Sequence, residues 1–427
     1  MIVKGNIVYT ERPDGYTTVP HGYVVVDDNG VIEGVYRELP KARKGEPVED
    51  YGDCLIIPGF TDCHFHPAQY PQMGISYNKE MMVWCNDYTI PQECRMEDRG
   101  YAKKVYSGLV HTLWKYGILH SIMMATQHLD ASLLLFDLVQ KAGLRSYVGH
   151  VCMDQSTSGR VWSTTEEAIA LSEEFIRRTL GKSELVKPIL TASLSVICTR
   201  ELMTAMGEQA RKYNLPMQAH LGENMTEVQR ALKRYPDCRT FADTYDKAGM
   251  FGGQPTMMAH CIYLEEEELE KIKERNILVA HCPNSNYNLL SGIMPFAKYM
   301  DEGVRVGLGS DISGGSSLNM FENMKAAVQQ GAVKMIRHEA DRPVMAYEAF
   351  YAATKGGGSF FGNVGSFEKG YDFDALVVDD TEVLQYNAYS LEDRMDKLLY
   401  CADDRNIRKR FIKGREIPEP VFSEMQE

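Results

Sequence analysis

The chain has 427 residues, with 46 Lys and Arg against 59 Asp and Glu, a net charge of −13. That balance excludes nucleic acid or an anionic membrane as the principal partner, because both need a basic surface. No apolar run approaches the ~18 residues that span a bilayer.

The first residues lead directly into a strand pattern, without the charged and apolar regions of a signal peptide. Ten cysteines are scattered with no C-x-x-C, several of them (Cys63, Cys152, Cys261, Cys282) inside apolar strands. Reduced buried thiols in a cytoplasmic protein are the expectation. Residues 1–57 alternate in period two, with turn dipeptides at Asp14-Gly15 and Asn29-Gly30, and predict short strands of a small β-sandwich. From 58 to 364 apolar strands alternate with amphipathic helices. The strands fall at 60–66, 118–125, 146–153, 186–191, 216–220, 256–261, 277–281 and 305–310. The helices fall at 98–116, 130–142, 165–180, 200–213, 224–234, 265–274 and 318–336. Eight such repeats predict an α/β fold, a distorted (β/α)8 TIM barrel. Strand patterns return at Ala375–Asp379 and Arg410–Gly414. The expected organisation is therefore a barrel at 58–364 and a small β-domain built from residues 1–57 and 365–427.

Four of the barrel strands end on a metal-ligating residue type: His64-Phe65-His66, His220, His260 and Asp311. The C-terminal ends of the strands form the mouth where such barrels carry their active sites. Strand periodicity of two puts His64 and His66 on one side, so two imidazoles can share an ion. Glu223 lies three residues past His220, within reach of anything held there, and is a candidate for moving protons. A first-turn helix acid, favoured by the helix dipole, is its alternative role. Asp311 follows a glycine-rich strand end and can both ligate an ion and accept a proton from water. His281 is read as orienting the mouth. His120 and His150 are core or pocket-wall groups, and His21, His111 and His338 surface or helix residues. The zinc cytidine-deaminase signature, H-E-x-x-H, a complete P-loop, G-x-G-x-x-G and G-x-S-x-G are all absent.

The segments Pro58 to Gln69, Tyr88-Thr89 with Pro91, Val151 to Asp154, Val186 to Ile189, His220 to Asn224, Met258 to His260, His281 to Asn286, Gly307 to Gly315 and Asp403 to Asn406 together resemble the guanine deaminases of the amidohydrolase superfamily. The resemblance implies one catalytic Zn2+, or Fe2+, on His64, His66, His220 and Asp311. It makes Glu223 the proton shuttle and His260 the group that orients the reacting oxygen. Two-metal relatives carry a modified lysine late in the fourth strand. Lys187 sits early in that strand, which favours one ion.

The implied reaction is attack of metal-bound hydroxide on the amino-bearing carbon of a small heterocycle, guanine to xanthine and ammonia, by a cytoplasmic homodimer in purine catabolism. Gln69 and Trp84 match substrate-contacting positions of the family, with Glu223 and His260 beside them. Ser193-Leu194 replace the family's Arg-Phe pair, Gln155-Ser156 depart from its third-strand motif, and Val83 replaces a glutamate. Arg160 and Trp162 are candidates to supply the missing charge and stacking surface. Those departures keep three alternatives open: another purine or a pterin, a different C–N or C–halide bond, or an inactive scaffold.

Overall fold

The computed structural model describes residues 1–155, 163–383 and 386–422. Its first strands are β1 (Ile2–Tyr9), β2 (Thr17–Val26), β3 (Ile32–Tyr36) and β4 (Glu49–Pro58). β1 pairs antiparallel with β2 and parallel with β4. The Asn29-Gly30 turn needs its glycine twice over. Gly30 has φ +80°, and an added Cβ would lie 2.1 Å from the Lys413 carbonyl oxygen.

The barrel strands follow: β5 (Phe60–Phe65), β6 (Ile118–Met124), β7 (Arg145–Gly149) with β8 (Val151–Cys152), β9 (Val186–Pro188) with β10 (Leu190–Ala192), β11 (Met217–Leu221), β12 (Thr256–His260), β13 (Leu278–His281) and β14 (Arg305–Leu308). All pair in parallel. The third and fourth barrel positions each run in two pieces, so the ladder divides into a four-stranded and a six-stranded section. Most residues of these strands are buried on both faces, which is why they read as largely apolar runs.

Closure between β14 and β5 depends on side-chain-free backbone. A Cβ at Gly307 would fall 2.4 Å from Cys63 Sγ, and one at Gly309 would fall 3.0 Å from His64 Cβ. The Asp311 N–H donates to the His64 carbonyl (2.8 Å), and the Ser310 N–H donates to the Asp62 carboxylate (2.9 Å).

The helices begin where capping residues stand. Asp98 caps Arg99–Lys115, Thr164 and Glu167 form a capping box on Thr165–Thr179, and Asn319 caps Met320–Ile336. The stretch from 67 to 97, to which spacing assigns no element, is a chain of short helical turns including Pro67–Gln72, Met81–Trp84 and Ile90–Cys94. Leu391–Cys401 is a further helix, capped by Ser390, that the strand-and-turn reading of this end does not include. No helix among the described residues is long and apolar enough to cross a membrane.

The last strands are β15 (Ala375–Val378), β16 (Ile407–Ile412) and β17 (Arg415–Glu416). They join the first four in one seven-stranded sheet of order β17-β16-β15-β4-β1-β2-β3. The sheet wraps over one apolar face. Val3, Ile7, Val24, Val377 and Phe411 share a cluster with Phe367 and Phe373. Ile32 N–H donates to the Tyr371 carbonyl and Phe373 N–H to that of Gly30, which ties the β2–β3 edge to the segment leading into β15. The opposite face, with Val8, Leu55, Ile57 and Leu376, packs into the barrel core.

A buried polar node joins sheet and barrel floor. Asp374 Oδ2 lies 2.8 Å from His120 Nε2 and 3.2 Å from Arg145, and its Oδ1 accepts the Lys413 N–H at 2.7 Å. His120 Nδ1 lies 3.1 Å from Thr61 Oγ1. His120 is thus a core group at the closed end of the barrel. Burial disfavours the Asp374 carboxylate, but His120 and Arg145 outweigh it and hold its pKa below the usual range. The stabilisation is therefore full above the unfolded carboxylate pKa of about 3.9 and fades as pH falls toward the lower native value. Asp374→Asn is expected to destabilise the fold at neutral pH by about 3–5 kcal/mol, the cost of breaking a buried ion pair. The gap to the parent should narrow in acid, as followed by thermal denaturation across pH.

Candidate active site

The predicted strand ends converge at one mouth. His64 closes β5, and His66, one strand repeat on, leads into Pro67–Gln72. His220 lies on β11, His260 ends β12, and Asp311 follows β14. His64 Nε2 is 3.2 Å and His66 Nε2 3.4 Å from Asp311 Oδ1, while His66 Nε2 and His220 Nε2 are 3.2 Å apart. His260 Nε2 stands 3.8 Å from Asp311 Oδ2. His260 and Asp311 have φ of 71° and 48°. Left-handed backbone of this kind in non-glycine residues costs about 1–2 kcal/mol and collects at functional sites.

The rings are held by their outer nitrogens. His220 Nδ1 donates to the Ser193 carbonyl at 2.7 Å, which leaves its Nε2 lone pair facing the cluster. His260 Nδ1 lies 3.0 Å from Asn286 Oδ1. Burial pushes the His64 pKa down to about 4 and that of His220 well below the ordinary value, so both are neutral near pH 7. Burial opposes charge on Asp311 too, but the surrounding imidazoles win and keep it a carboxylate.

His64 is fully buried, yet neither ring nitrogen makes a well-directed hydrogen bond among the described residues; Nε2 has only the Asp311 carboxylate, 3.2 Å away. Orphaned buried nitrogens, neutral imidazoles and one carboxylate are a donor set that fits a divalent ion. His64, His66 and His220 place their ligand atoms within 4.8 Å of one another. So do His64, His260, Asp311 and Cys282. Cys282 is a buried thiol as expected, although it stands just past β13 and not within a strand. Burial first, and then Asp311, raise its pKa, and its S–H points at the Ala280 carbonyl at 3.6 Å.

Glu223 faces the same cavity. Its Oε1 accepts the Ser291 hydroxyl at 3.0 Å, and its Oε2 lies 3.6 Å from His260 Nε2. Burial raises its pKa. The following helix is Met225–Arg234, capped by Asn224, so the first-turn acid is Glu227 and not Glu223. Glu227 is fully buried and accepts the Glu223 N–H at 2.9 Å. Its own pKa is pushed up to about 8 by burial and by Glu223.

Gln69, Trp84, Ser193, Leu194 and Gln155 all line the cavity beside His66, His220, Glu223 and Asp311. Trp84 packs with Met81, Met82 and Leu289 and donates its indole N–H to the Ile75 carbonyl. Ser156, Arg160 and Trp162 lie outside the described residues. Lys187 is exposed on β9, away from the cluster. His281 is buried against Phe296, its pKa lowered to about 3 by burial. His150 stacks on Phe175.

Sequence reasoning missed Glu93, Gln127 and Ser291. Glu93 stands on a helical turn with no strand before it, and Ser291 lies in a loop beyond β13 that carries no periodicity. For Glu227 a signal exists, since it falls one helical turn after Glu223.

A parallel barrel whose strand ends bring three imidazoles and an aspartate together is the architecture of the amidohydrolases, and the amidohydrolase family pattern matches residues 55–417. The chain belongs to that family and, within it, to the guanine deaminases. Guanine deaminase of Dictyostelium discoideum is 31% identical over 440 residues, covering 97% of this chain and 98% of its own. That of Homo sapiens is 35% identical over 376 residues, 85% of this chain and 83% of its own. A crystal structure of guanine deaminase from C. acetobutylicum, with guanine bound in its active site, is 41% identical. It matches with a TM-score of 0.94 across 97% of this chain and 99% of that one.

The Asp311 loop is tightly seated: Gly315 N–H donates to the Asp311 carbonyl at 2.7 Å, and a Cβ at Gly315 would lie 1.8 Å from the Ser310 carbonyl oxygen. Gly315→Ala is expected to weaken divalent-ion binding by about 10- to 100-fold, as loss of an orienting contact does. Competition with a chromophoric chelator measures it, with an unchanged far-UV CD spectrum as the control.

Proposed function

We propose that this protein hydrolyses guanine to xanthine and ammonia. The observation that carries the reading is geometric. A cluster of orphaned imidazole nitrogens around Asp311 and a buried carboxyl, Glu223, share one cavity. The full-length likeness to guanine deaminases supports guanine as the substrate.

His64, His66, His220 and Asp311 would hold one divalent ion, which we assign as zinc on its three nitrogen donors and one oxygen donor; iron(II) accepts the same set. Such an ion is a Lewis acid that brings the pKa of water from about 16 toward about 7. Asp311 takes a proton from the attacking water. Glu223 protonates the ring nitrogen beside the amino-bearing carbon, so that nitrogen does not accumulate negative charge as the oxygen adds. Burial raises the pKa of Glu223 toward the working pH, where a group both gives and takes a proton most efficiently. Ser291 fixes its carboxylate. His260, set by Asn286 and facing Glu223 and Asp311, orients the incoming oxygen. The proton held by Asp311 passes to the amino group, the added hydroxyl returns one to Glu223, and ammonia leaves with a ring carbonyl in its place. Gln69 and Trp84 would hold the ring, with Leu194 and Ser193 also lining the cavity. On the family resemblance, we read the enzyme as a cytoplasmic homodimer acting in purine catabolism.

Ammonia release from guanine by the purified protein tests the reading. Glu223→Gln is expected to retain the metal and lose turnover by about 10²–10⁴-fold, the range for general acid–base groups. Ammonia from a pterin or another aminopurine, with none from guanine, would reassign the substrate. Stripping the metal with a chelator should abolish turnover, and zinc should restore it; full activity without metal would overturn the ligand assignment.

A further inference from the structure

Glu93 belongs to the short helix Ile90–Cys94, which forms one wall of the cavity. Its Oε1 accepts the Gln69 side-chain N–H at 3.2 Å, and its Oε2 accepts the Thr126 hydroxyl at 2.7 Å. Gln69 Oε1 meets the Ser313 hydroxyl at 3.5 Å on its other side. The Gln69 amide is therefore held in one orientation, nitrogen toward Glu93 and oxygen toward Ser313.

Among the described residues lining the cavity there is no lysine or arginine. Apart from the cluster and Glu223, the polar groups there are Thr89, Glu93, Gln127, Gln155, Ser193 and Gln69. Gln127 Oε1 is buried and has no partner among the described residues. Buried acceptors are normally satisfied, and a carboxylate offers about four lone-pair sites, of which Glu93 uses two. The described wall is thus rich in acceptors, and a ring that brings an N–H donor is its complement. A brace tying the helical turn to the end of β6 through Thr126 is the plainer role for Glu93, and that role does not account for the unpartnered Gln127 oxygen beside it.

We propose that Glu93 is a specificity-determining residue, which sets the Gln69 amide and accepts an N–H from the imidazole side of the substrate, so that the site takes a free base in preference to one substituted on that ring. This rests on the deaminase reading. In guanine the imidazole ring carries one N–H, and 9-methylguanine has none.

The test is equilibrium binding of guanine and 9-methylguanine by calorimetry to metal-loaded Glu223→Gln protein, with and without Glu93→Gln, together with turnover by the parent and by Glu93→Gln. A hydrogen bond to a charged acceptor predicts that guanine binds about tenfold or more tighter than 9-methylguanine when Glu93 is present. Glu93→Gln should raise the Kd and KM for guanine by a similar factor, leave kcat within about threefold, and narrow the gap between the two bases. A gap that persists in Glu93→Gln, or a loss equal for both bases with a lowered Tm, would make Glu93 a brace and overturn the proposal; so would failure of either base to bind. Glu93-dependent binding with no ammonia from the parent would instead sink the deaminase reading and leave the specificity assignment standing.

Discussion

The site exists because the eighth barrel strand can approach the first without side chains between them. Gly307 and Gly309 lie against Cys63 and His64 with no room for a Cβ. The backbone contact that follows, Asp311 N–H to the His64 carbonyl, sets the distance from carboxylate to imidazole. Asp62 reinforces the seam from beneath, accepting the Ser310 and His64 N–H groups. That carboxyl is fully buried, and burial pushes its pKa up to about 7 despite both hydrogen bonds. His64 and His220 stand on strand backbone, and His66 and Asp311 on the first residues past a strand end, where the seam contacts pin them; that suits a site that must hold reacting groups to within about 0.5 Å.

The chemistry carries an electrostatic cost that the fold distributes. Asp62, Glu223 and Glu227 are all buried around one mouth, with Glu93 half-buried beside them. An isolated buried carboxylate costs several kcal/mol, and these groups are stabilised mostly by neutral donors: backbone N–H groups, Ser291, Thr126 and Gln69. Neutral donors hold a carboxyl in place without fixing its charge as a guanidinium would. Burial raises the Glu223 pKa against the pull of His260 and Ser291, which suits the proton-shuttle role proposed for it.

The legible parts of this chain were those with a period or a punctuation mark. The barrel strands are buried runs between turn signals, and their ends carry His64, His66, His220, His260 and Asp311, so strand direction alone places them together. Helices were legible from their amphipathic pattern, and the structure shows their starts fixed by caps at Asp98, Thr164 and Asn319. The stretch from 67 to 97 was not legible. Its turns are too short for a helical period to develop, and tertiary contacts with Ser313 and the Gly315 carbonyl hold it over the cavity. Glu93 was hidden with it. Ser193 illustrates a different limit: its place at the family's Arg-Phe position suggested a substrate contact, and it lines the cavity, but no sequence signal marks its carbonyl, which every residue possesses, as what aims His220.

The seven-stranded sheet has a bearing on how the molecule is made. β4 pairs with β15, Ile57 against Leu376, so a strand from the start of the chain waits for a partner from near its end. During synthesis the apolar faces of β1 and β4 emerge long before β15 and β16 can cover them. Contacts of such long sequence separation form slowly and leave transient edges exposed. A nascent chain must therefore carry an unfinished floor beneath its barrel until β15 and β16 have been made.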